Sequence, residues 1–370
     1  MYWHVILTEK CNSQCRYCYE KSMKEFDNGL EEKWKFDFNV PADTEVDVKK
    51  LREFILKDED PVIVFYGGEP LLQVNKIKEI MDAFEDYEVR FCMQTNGKLL
   101  HKLPDNYMNR FSKILVSLDG ERNRTDYNRG LETYSQVISN LKLIRFHGYK
   151  GEIVARMTID FPDIYEQVRH LLEIEEIDSV HWQLDMGFYK TDFDKEKVTR
   201  FVKEYCDSLS KLVDFWLENM KKGNVLEIYP FLGIMQSLLD RQPTKLRCGA
   251  GHSGFAITTK GDIVTCPIMN NITDFYVGDL NSNPRELREI SVGGKCNSCQ
   301  YLNLCGGRCL YANKAELWPD EGQELICDTV KALIFELKRI LPDVIELIDK
   351  KIIDFSDFKY EKYFGPEIIP

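Results

Sequence analysis

Six short runs, Trp3–Thr8, Val62–Tyr66, Val89–Gln94, Ile114–Leu118, Ile153–Ile159 and Val180–Leu184, are apolar at most positions. Such runs predict strands covered on both faces, as in a parallel sheet. The stretches between them change period. Asp47–Leu56, Val74–Phe84 and Tyr134–His147 place apolar residues at i, i+3 and i+4, which predicts amphipathic helices. Strand and helix alternate six times, the order of a partial (β/α) barrel or of an open doubly wound sheet.

Polar and glycine-rich positions gather where these runs end. Cys11, Cys15 and Cys18 follow the first run, and Gly67-Gly68-Glu69-Pro70 follows the second. Gln94-Thr95-Asn96-Gly97 closes the third and Ser117-Leu118-Asp119-Gly120 the fourth. All lie at carboxyl ends of predicted strands, the face on which barrel enzymes assemble their sites. The expected fold is therefore α/β, a partial (β/α)6 TIM-like barrel over residues 1–190 with these loops converging on one pocket.

Beyond the sixth run the pattern changes twice. Thr191–Lys222 carries Val198, Val202, Tyr205, Leu209, Val213 and Trp216 on one stripe, a long helix within a bridging region, 191–247. Residues 248–327 are rich in Cys and Gly, hold seven of the twelve cysteines, and show a hairpin pattern over Phe255–Cys266. They are expected to form a small separate domain. A last helix is predicted near Thr329–Ile352, in a C-terminal segment 328–370.

Composition narrows the function. A formal net charge of −12 disfavours a protein that binds nucleic acid by neutralising phosphates, so no nucleic-acid partner is expected. No run approaches 18 apolar residues and the first ten residues lack a signal-peptide pattern, so no membrane association and a cytoplasmic location are expected. In a reducing compartment twelve cysteines point to metal ligands and buried thiols instead of disulfides. Exposed iron–sulfur chemistry would further imply an anaerobic host.

The cysteines fall into two groups. Cys11-x3-Cys15-x2-Cys18 is followed by no further cysteine until Cys92. Three thiolates on one loop can bind three irons of a [4Fe–4S] cluster and leave the fourth iron open to a small molecule. By itself the spacing also fits a zinc site. Taken with Tyr17 before the third cysteine and with Gly67-Gly68-Glu69-Pro70, the chain resembles the radical S-adenosylmethionine (SAM) superfamily. The resemblance implies that SAM chelates the open iron and that one electron cleaves it to a 5′-deoxyadenosyl radical, which abstracts hydrogen from an unactivated carbon. It also implies a set of cofactor contacts. Tyr17 is expected beside the adenine, Gly67 and Gly68 as a close backbone approach to the SAM amino group, and Glu69 as a carboxylate for that cation. Gln94 and Ser117 match polar contacts on the third and fourth strands, and Arg156 is placed for the SAM carboxylate. Ser117–Gly120 read as a helix-capping turn, and Arg156 as a structural ion-pair residue, stay open.

The second group is Cys248-x12-Gly261-x4-Cys266, then Cys296-x2-Cys299-x5-Cys305-x3-Cys309, then Cys327. It resembles the seven-cysteine SPASM pattern carried by many radical SAM enzymes that modify peptides and proteins. The resemblance implies two auxiliary [4Fe–4S] clusters, three in all: Cys248, Cys266 and Cys309 for auxiliary cluster I, with a fourth site open or held by another ligand, and Cys296, Cys299, Cys305 and Cys327 for auxiliary cluster II. Zinc ribbons pair two Cys-x2-Cys knuckles and residues 248–327 have one. Cys92 and Cys206 are left over and are expected as buried core thiols.

Relatives of this kind crosslink ribosomally made peptides or oxidise a sulfatase Cys or Ser to formylglycine. Sulfatase-maturing enzymes resemble one another in an Asp directly after the second SPASM cysteine, and this chain has Pro267. That difference favours oxidative crosslinking or cyclisation of a small precursor peptide, with net loss of two hydrogens. The implied partners are that peptide and an electron donor such as flavodoxin or ferredoxin. The cluster loop opens at residue 11, so no peptide-recognition domain is expected ahead of it. His181, His252, Asp185 and Asp262 are all candidates for a base, with none singled out. A small-molecule radical oxidoreductase, an iron–sulfur electron carrier and a zinc scaffold are the competing readings.

Overall fold

A computed structural model describes residues 1–18 and 29–364. In chain order its principal elements are β1 (Tyr2–Thr8), α1 (Val48–Ile55), β2 (Val62–Gly67), α2 (Val74–Ala83), β3 (Arg90–Thr95), β4 (Phe111–Ser117), α3 (Arg122–Arg129), α4 (Thr133–Phe146) and β5 (Glu152–Ile159). There follow α5 (Ile164–Leu172), β6 (Ser179–Leu184), α6 (Lys195–Met220), α7 (Tyr229–Asp240), β7 (Gly254–Ile257), β8 (Asp262–Val264), β9 (Tyr276–Asp279) and α8 (Asp320–Asp349). All six predicted strands form. The described residues divide into two compact units, one of Met1–Cys18, Gly29–Arg156 and Gly249–Ser291, the other containing Met157–Cys248 and residues 292–364.

The first unit is built on a parallel sheet in the order β5-β4-β3-β2-β1. Val5 lies opposite Phe65, Val64 opposite Cys92, and Ser117 opposite Arg156. β1 is buried along its whole length, and Trp3, Val5, Leu7, Ile63 and Phe65 are inaccessible. Two-sided burial is what a parallel strand flanked by helices requires, and it explains the absence of alternation in these runs. On the far side of β1, β7 adds in parallel and β8 and β9 follow antiparallel. The expected hairpin is thus the β7–β8 pair. The sheet does not close, so the architecture is an incomplete (β/α) barrel.

The second unit begins inside β5. Next to the end of that strand runs β6, where the Asp185 N–H donates to the Ile159 carbonyl at 2.9 Å. Its core is aromatic: Trp182, Trp216 and Phe231 are fully buried, with the Phe231 ring 5.7 and 5.2 Å from the two indoles. Both indole N–H groups are satisfied, by the Tyr205 hydroxyl and the Leu226 carbonyl. α6 starts at Lys195, after Asp194, whose carboxylate accepts from the N–H groups of Glu196 and Lys197 and caps the helix. α8 starts at Asp320, well before the predicted Thr329, because Pro319 precedes a first turn containing Asp320 and Glu321. Cys327 therefore sits on a helix. No helix among the described residues is long and apolar enough to cross a membrane.

Candidate functional site

The three-cysteine loop leaves the carboxyl end of β1 and is tied down before it starts. Thr8, fully buried, donates through Oγ1 to the Ala42 carbonyl and the Asp43 carboxylate, at 3.1 and 2.7 Å, and accepts from the Lys10 N–H at 3.1 Å. The loop then lies on the end of β2. The Gly68 N–H donates to the Thr8 carbonyl and the Glu69 N–H to the Lys10 carbonyl, at 2.8 and 2.9 Å. A Cβ at Gly67 would stand 2.2 Å from the Thr8 carbonyl oxygen and one at Gly68 2.4 Å from that of Lys10, and Gly67 has φ of +140°. The two glycines thus permit a close approach of backbone, and what approaches here is the cysteine loop itself.

Glu69 is inaccessible to solvent; Oε1 accepts from the Leu71 N–H and the Thr95 hydroxyl, at 3.0 and 2.8 Å, and Oε2 accepts from the Asn96 N–H at 2.8 Å. Its carboxylate joins the end of β2 to the end of β3. Burial raises its pKa, and the three donors only partly oppose this. Asn96, held in place by this contact, turns its amide toward the cysteine loop. Nδ2 lies 2.7 Å from Asn12 Oδ1, 3.4 Å from Ser13 Oγ and 3.8 Å from Cys11 Sγ. Gln94, two residues earlier, is half-buried within β3 opposite Leu115.

On the other side of the loop, α3 grips it. The Arg16 N–H donates to the Asn128 carbonyl at 3.0 Å, and the Arg16 guanidinium lies 4.2 Å from the Tyr127 ring centroid. Tyr17 donates its hydroxyl to the Asp119 carboxylate. Arg129 closes the arrangement: Nε and Nη2 donate to the two Asp119 oxygens at 2.9 and 2.8 Å, and the guanidinium lies 5.3 Å from the Tyr17 ring centroid. Asp119 and Arg129 are buried, a fork-to-fork pair sealed from water. Tyr17 was expected against an adenine; its hydroxyl is used to anchor the loop. Burial, with Asp119 and Cys15 nearby and despite Arg129, keeps that phenol protonated well above the ordinary range.

Ser117 and Arg156 are neighbours across the β4–β5 register, at the same strand ends. Near Arg156 lies His4, whose imidazole is held down to about 4 chiefly by burial, so it stays neutral and adds no second cation. The strand ends of the first unit thus bring together Cys11, Cys15, Cys18, Glu69, Asn96 and Asp119. Asn96, Asp119 and Arg129 are the residues sequence reasoning missed. The first two stand inside the strand-end segments it singled out.

In the second unit the thiols of Cys296, Cys305 and Cys327 are raised chiefly by burial. Burial raises the Cys296 thiol, helped by Cys327 and Cys299. Burial likewise pushes Cys305 up to about 11, opposed by the backbone N–H groups of Gly307 and Arg308 and reinforced by Cys296 and Cys327. Asn313 braces the group, with Nδ2 3.5 Å from Cys296 Sγ and 3.1 Å from the Gly293 carbonyl. Cys248 and Cys309 belong to this unit, while Cys266 belongs to the first, at the head of the turn Pro267–Met269. Among the described residues no three His, Cys, Asp or Glu side chains converge on a single-ion site. Of the two leftover thiols, Cys92 is buried in β3, 3.4 Å from Ser112 Oγ, whereas Cys206 on α6 is only half-buried.

The sequence matches the radical SAM superfamily over residues 5–174. It is 22% identical over 364 residues to the radical SAM cyclopropyl synthase TigE of Paramaledivibacter caminithermalis, covering 90% of this chain and 73% of that one. It is also 22% identical over 325 residues to the cysteine-type anaerobic sulfatase-maturating enzyme of Clostridium perfringens, covering 81% and 85%. Among solved structures the fold resembles native anSMEcpe with bound AdoMet and Cp18Cys peptide, with a TM-score of 0.65 at 17% identity over 95% of this chain and 99% of that one. Streptococcus suis SuiB bound to its precursor peptide SuiA aligns with a TM-score of 0.52 at 16% identity, over 84% and 72%. A glycine cradle, three loop cysteines and a neutral amide donor beside one sulfur suit the group this family uses, a [4Fe–4S] cluster with SAM. Residues 5–174 of this chain are a radical SAM domain.

Proposed function

We propose that the chain is a radical SAM enzyme that oxidatively crosslinks or cyclises residues of a ribosomally made peptide. Cys11, Cys15 and Cys18 hold the cluster; Cys296, Cys299, Cys305 and Cys327 hold one auxiliary cluster, and Cys248, Cys266 and Cys309 another. When bound, the first cluster and SAM supply a 5′-deoxyadenosyl radical that takes one hydrogen atom from the peptide. The second hydrogen leaves as a proton and an electron as the new bond forms, and that electron needs an acceptor. The placement of Cys296, Cys299, Cys305 and Cys327 in the second unit, at the spacing that resembles the SPASM pattern, supports this reading, because an oxidation with loss of two hydrogens requires an electron acceptor. The chain's own residues fix the geometry: Glu69 and Asn96 hold the loop from β2 and β3, and Asp119 and Arg129 hold it through Tyr17. Ser117 and Arg156 are assigned to the SAM side of the site, with Gln94 as a further polar contact.

The relationship to sulfatase-maturating enzymes favours formylglycine formation as a second reading. Pro267, which has no proton-accepting side chain, stands where the resemblance would place their Asp and weighs against it. Anaerobic reduction with dithionite and SAM is expected to release 5′-deoxyadenosine, and Cys11→Ala to abolish it. Incubation with short peptides encoded beside the gene is expected to give a mass loss of two hydrogens per event. Release of 5′-deoxyadenosine with no change in any such peptide, but conversion of a sulfatase Cys peptide, would move the assignment to the second reading.

A further inference from the structure

Arg308 lies in the turn between Cys305 and Cys309, with a left-handed φ of 57° that non-glycine residues adopt rarely. Its Nη2 donates to the Met186 carbonyl at 3.4 Å. Nε and Nη1 are sealed from solvent and meet no acceptor among the described residues. A guanidinium cannot shed its charge in a protein, and a sealed cation without an anion costs several kcal/mol. The groups whose charge reaches it are the sulfurs of Cys309, Cys327 and Cys305 and the Tyr205 hydroxyl. Tyr205 is not the missing anion, because burial holds its phenol far above the ordinary range and its oxygen already accepts from the Trp182 indole at 2.9 Å. The sulfurs remain. As thiols they offer weak acceptors and no charge; as thiolates bound to iron they offer both.

We propose that Arg308 is the counter-cation shared by the two auxiliary clusters, donating its sealed N–H groups toward sulfur on the Cys309 side and on the Cys305 and Cys327 side, and raising the reduction potential of both. This rests on the assignment of those cysteines to clusters. Net charge and hydrogen bonds to sulfur are what set such potentials, and a higher potential makes each cluster a better acceptor for an electron from substrate.

The test uses the full chain carrying Cys11→Ala, Cys15→Ala and Cys18→Ala, so that every iron–sulfur signal comes from the second cysteine group. Iron and sulfide content, far-ultraviolet circular dichroism and EPR-monitored redox titration are compared among this parent, Arg308→Lys and Arg308→Met. Arg308→Met is expected to keep the iron and shift both midpoint potentials negative, and Arg308→Lys, which keeps the charge but not the planar fork, to shift them less. Loss of iron in Arg308→Met with retention in Arg308→Lys also supports the counter-cation. Unchanged potentials in Arg308→Met overturn it, as does equal loss of iron and helical signal in both variants, which marks a packing role. Unchanged potentials here, with a raised KM for peptide when Arg308→Met is placed in the chain that keeps Cys11, Cys15 and Cys18, would overturn it and reassign Arg308 to the substrate. If the parent itself takes up no iron, the auxiliary-cluster reading fails, which is a different result from any of these.

Discussion

Arg129 in the first unit and Arg308 in the second both lie beside cysteines, yet their surroundings are opposite. Arg129 has a buried carboxylate matched to both ends of its fork, and the Asp119 charge raises its pKa against the pull of burial. Arg308 has no such partner, and burial pushes its pKa below the ordinary value, with the neighbouring sulfurs and the Tyr205 hydroxyl opposing the fall. The first site is electrically complete in the protein alone and its work is to hold a loop. The second has no carboxylate to match its cation, and on the assignment proposed above an iron–thiolate group would supply the opposite charge.

That contrast is open to direct test in the metal-free protein. Arg129→Met leaves the Asp119 carboxylate buried without its counter-cation, and breaking a buried ion pair in this way costs about 3–5 kcal/mol. Adding Asp119→Leu removes the stranded charge and is expected to restore most of the loss. Arg308→Met strands no carboxylate, so its metal-free form is expected to unfold at the same urea concentration as the parent or a higher one. Urea denaturation followed by tryptophan fluorescence reads all three. Equal losses from Arg129→Met and Arg308→Met would break the comparison.

Glu69 gives the next largest effect. Its carboxylate accepts three hydrogen bonds in a site sealed from solvent, and Glu69→Gln sets an amide donor against the Asn96 N–H or the Leu71 N–H. An unsatisfied buried group of this kind costs about 1–3 kcal/mol. Because the folded pKa is raised above the unfolded one, the stability linked to this carboxyl is fully present below the ordinary carboxylate range and declines as pH rises through the raised value. The glutamine variant is expected to lose that slope. Its anaerobic iron uptake at Cys11, Cys15 and Cys18 is also expected to slow, since Asn96 loses its anchor.

The parts legible in the sequence are those in which local pattern and tertiary requirement agree. Uninterrupted apolar runs become two-sided strands, and the cysteines of the first loop sit at a strand end because the loop follows β1 directly. What was hidden depends on groups distant along the chain. Asp119 and Arg129 meet only because α3 turns back over the end of β4, and nothing in their sequence neighbourhood distinguishes that pair from a surface one. Glu69 reads as a free carboxylate until Thr95 and Asn96 are placed against it. Cys327 reads as the tail of a cysteine-rich segment, while the start of α8 at Asp320 makes it part of a helix. Arg308 looks like an ordinary residue of a glycine-rich turn, and its significance appears only when its donors are found sealed and unmatched.

The smallest expected effect asks whether the second unit tolerates unmatched charge elsewhere. Asp192 is exposed as a residue, but its Oδ1 accepts from the Trp318 indole N–H at 2.7 Å, and partial burial of the carboxyl raises it to about 6. An indole donor is neutral, so here too an ionised group lacks an opposite charge. With a folded pKa above the unfolded one, this group's contribution to stability is complete below about pH 4 and is lost as pH rises through about 6. Asp192→Asn keeps an acceptor for the indole and removes the charge. Its urea midpoint is expected to match the parent's near the low end of that window and to exceed it at neutral pH. The gain is about 1 kcal/mol or less, because part of the carboxylate still faces water. A loss of stability at neutral pH in Asp192→Asn would mean that the charge itself is favourable there, and the resemblance between Asp192 and Arg308 as unmatched ions would fall.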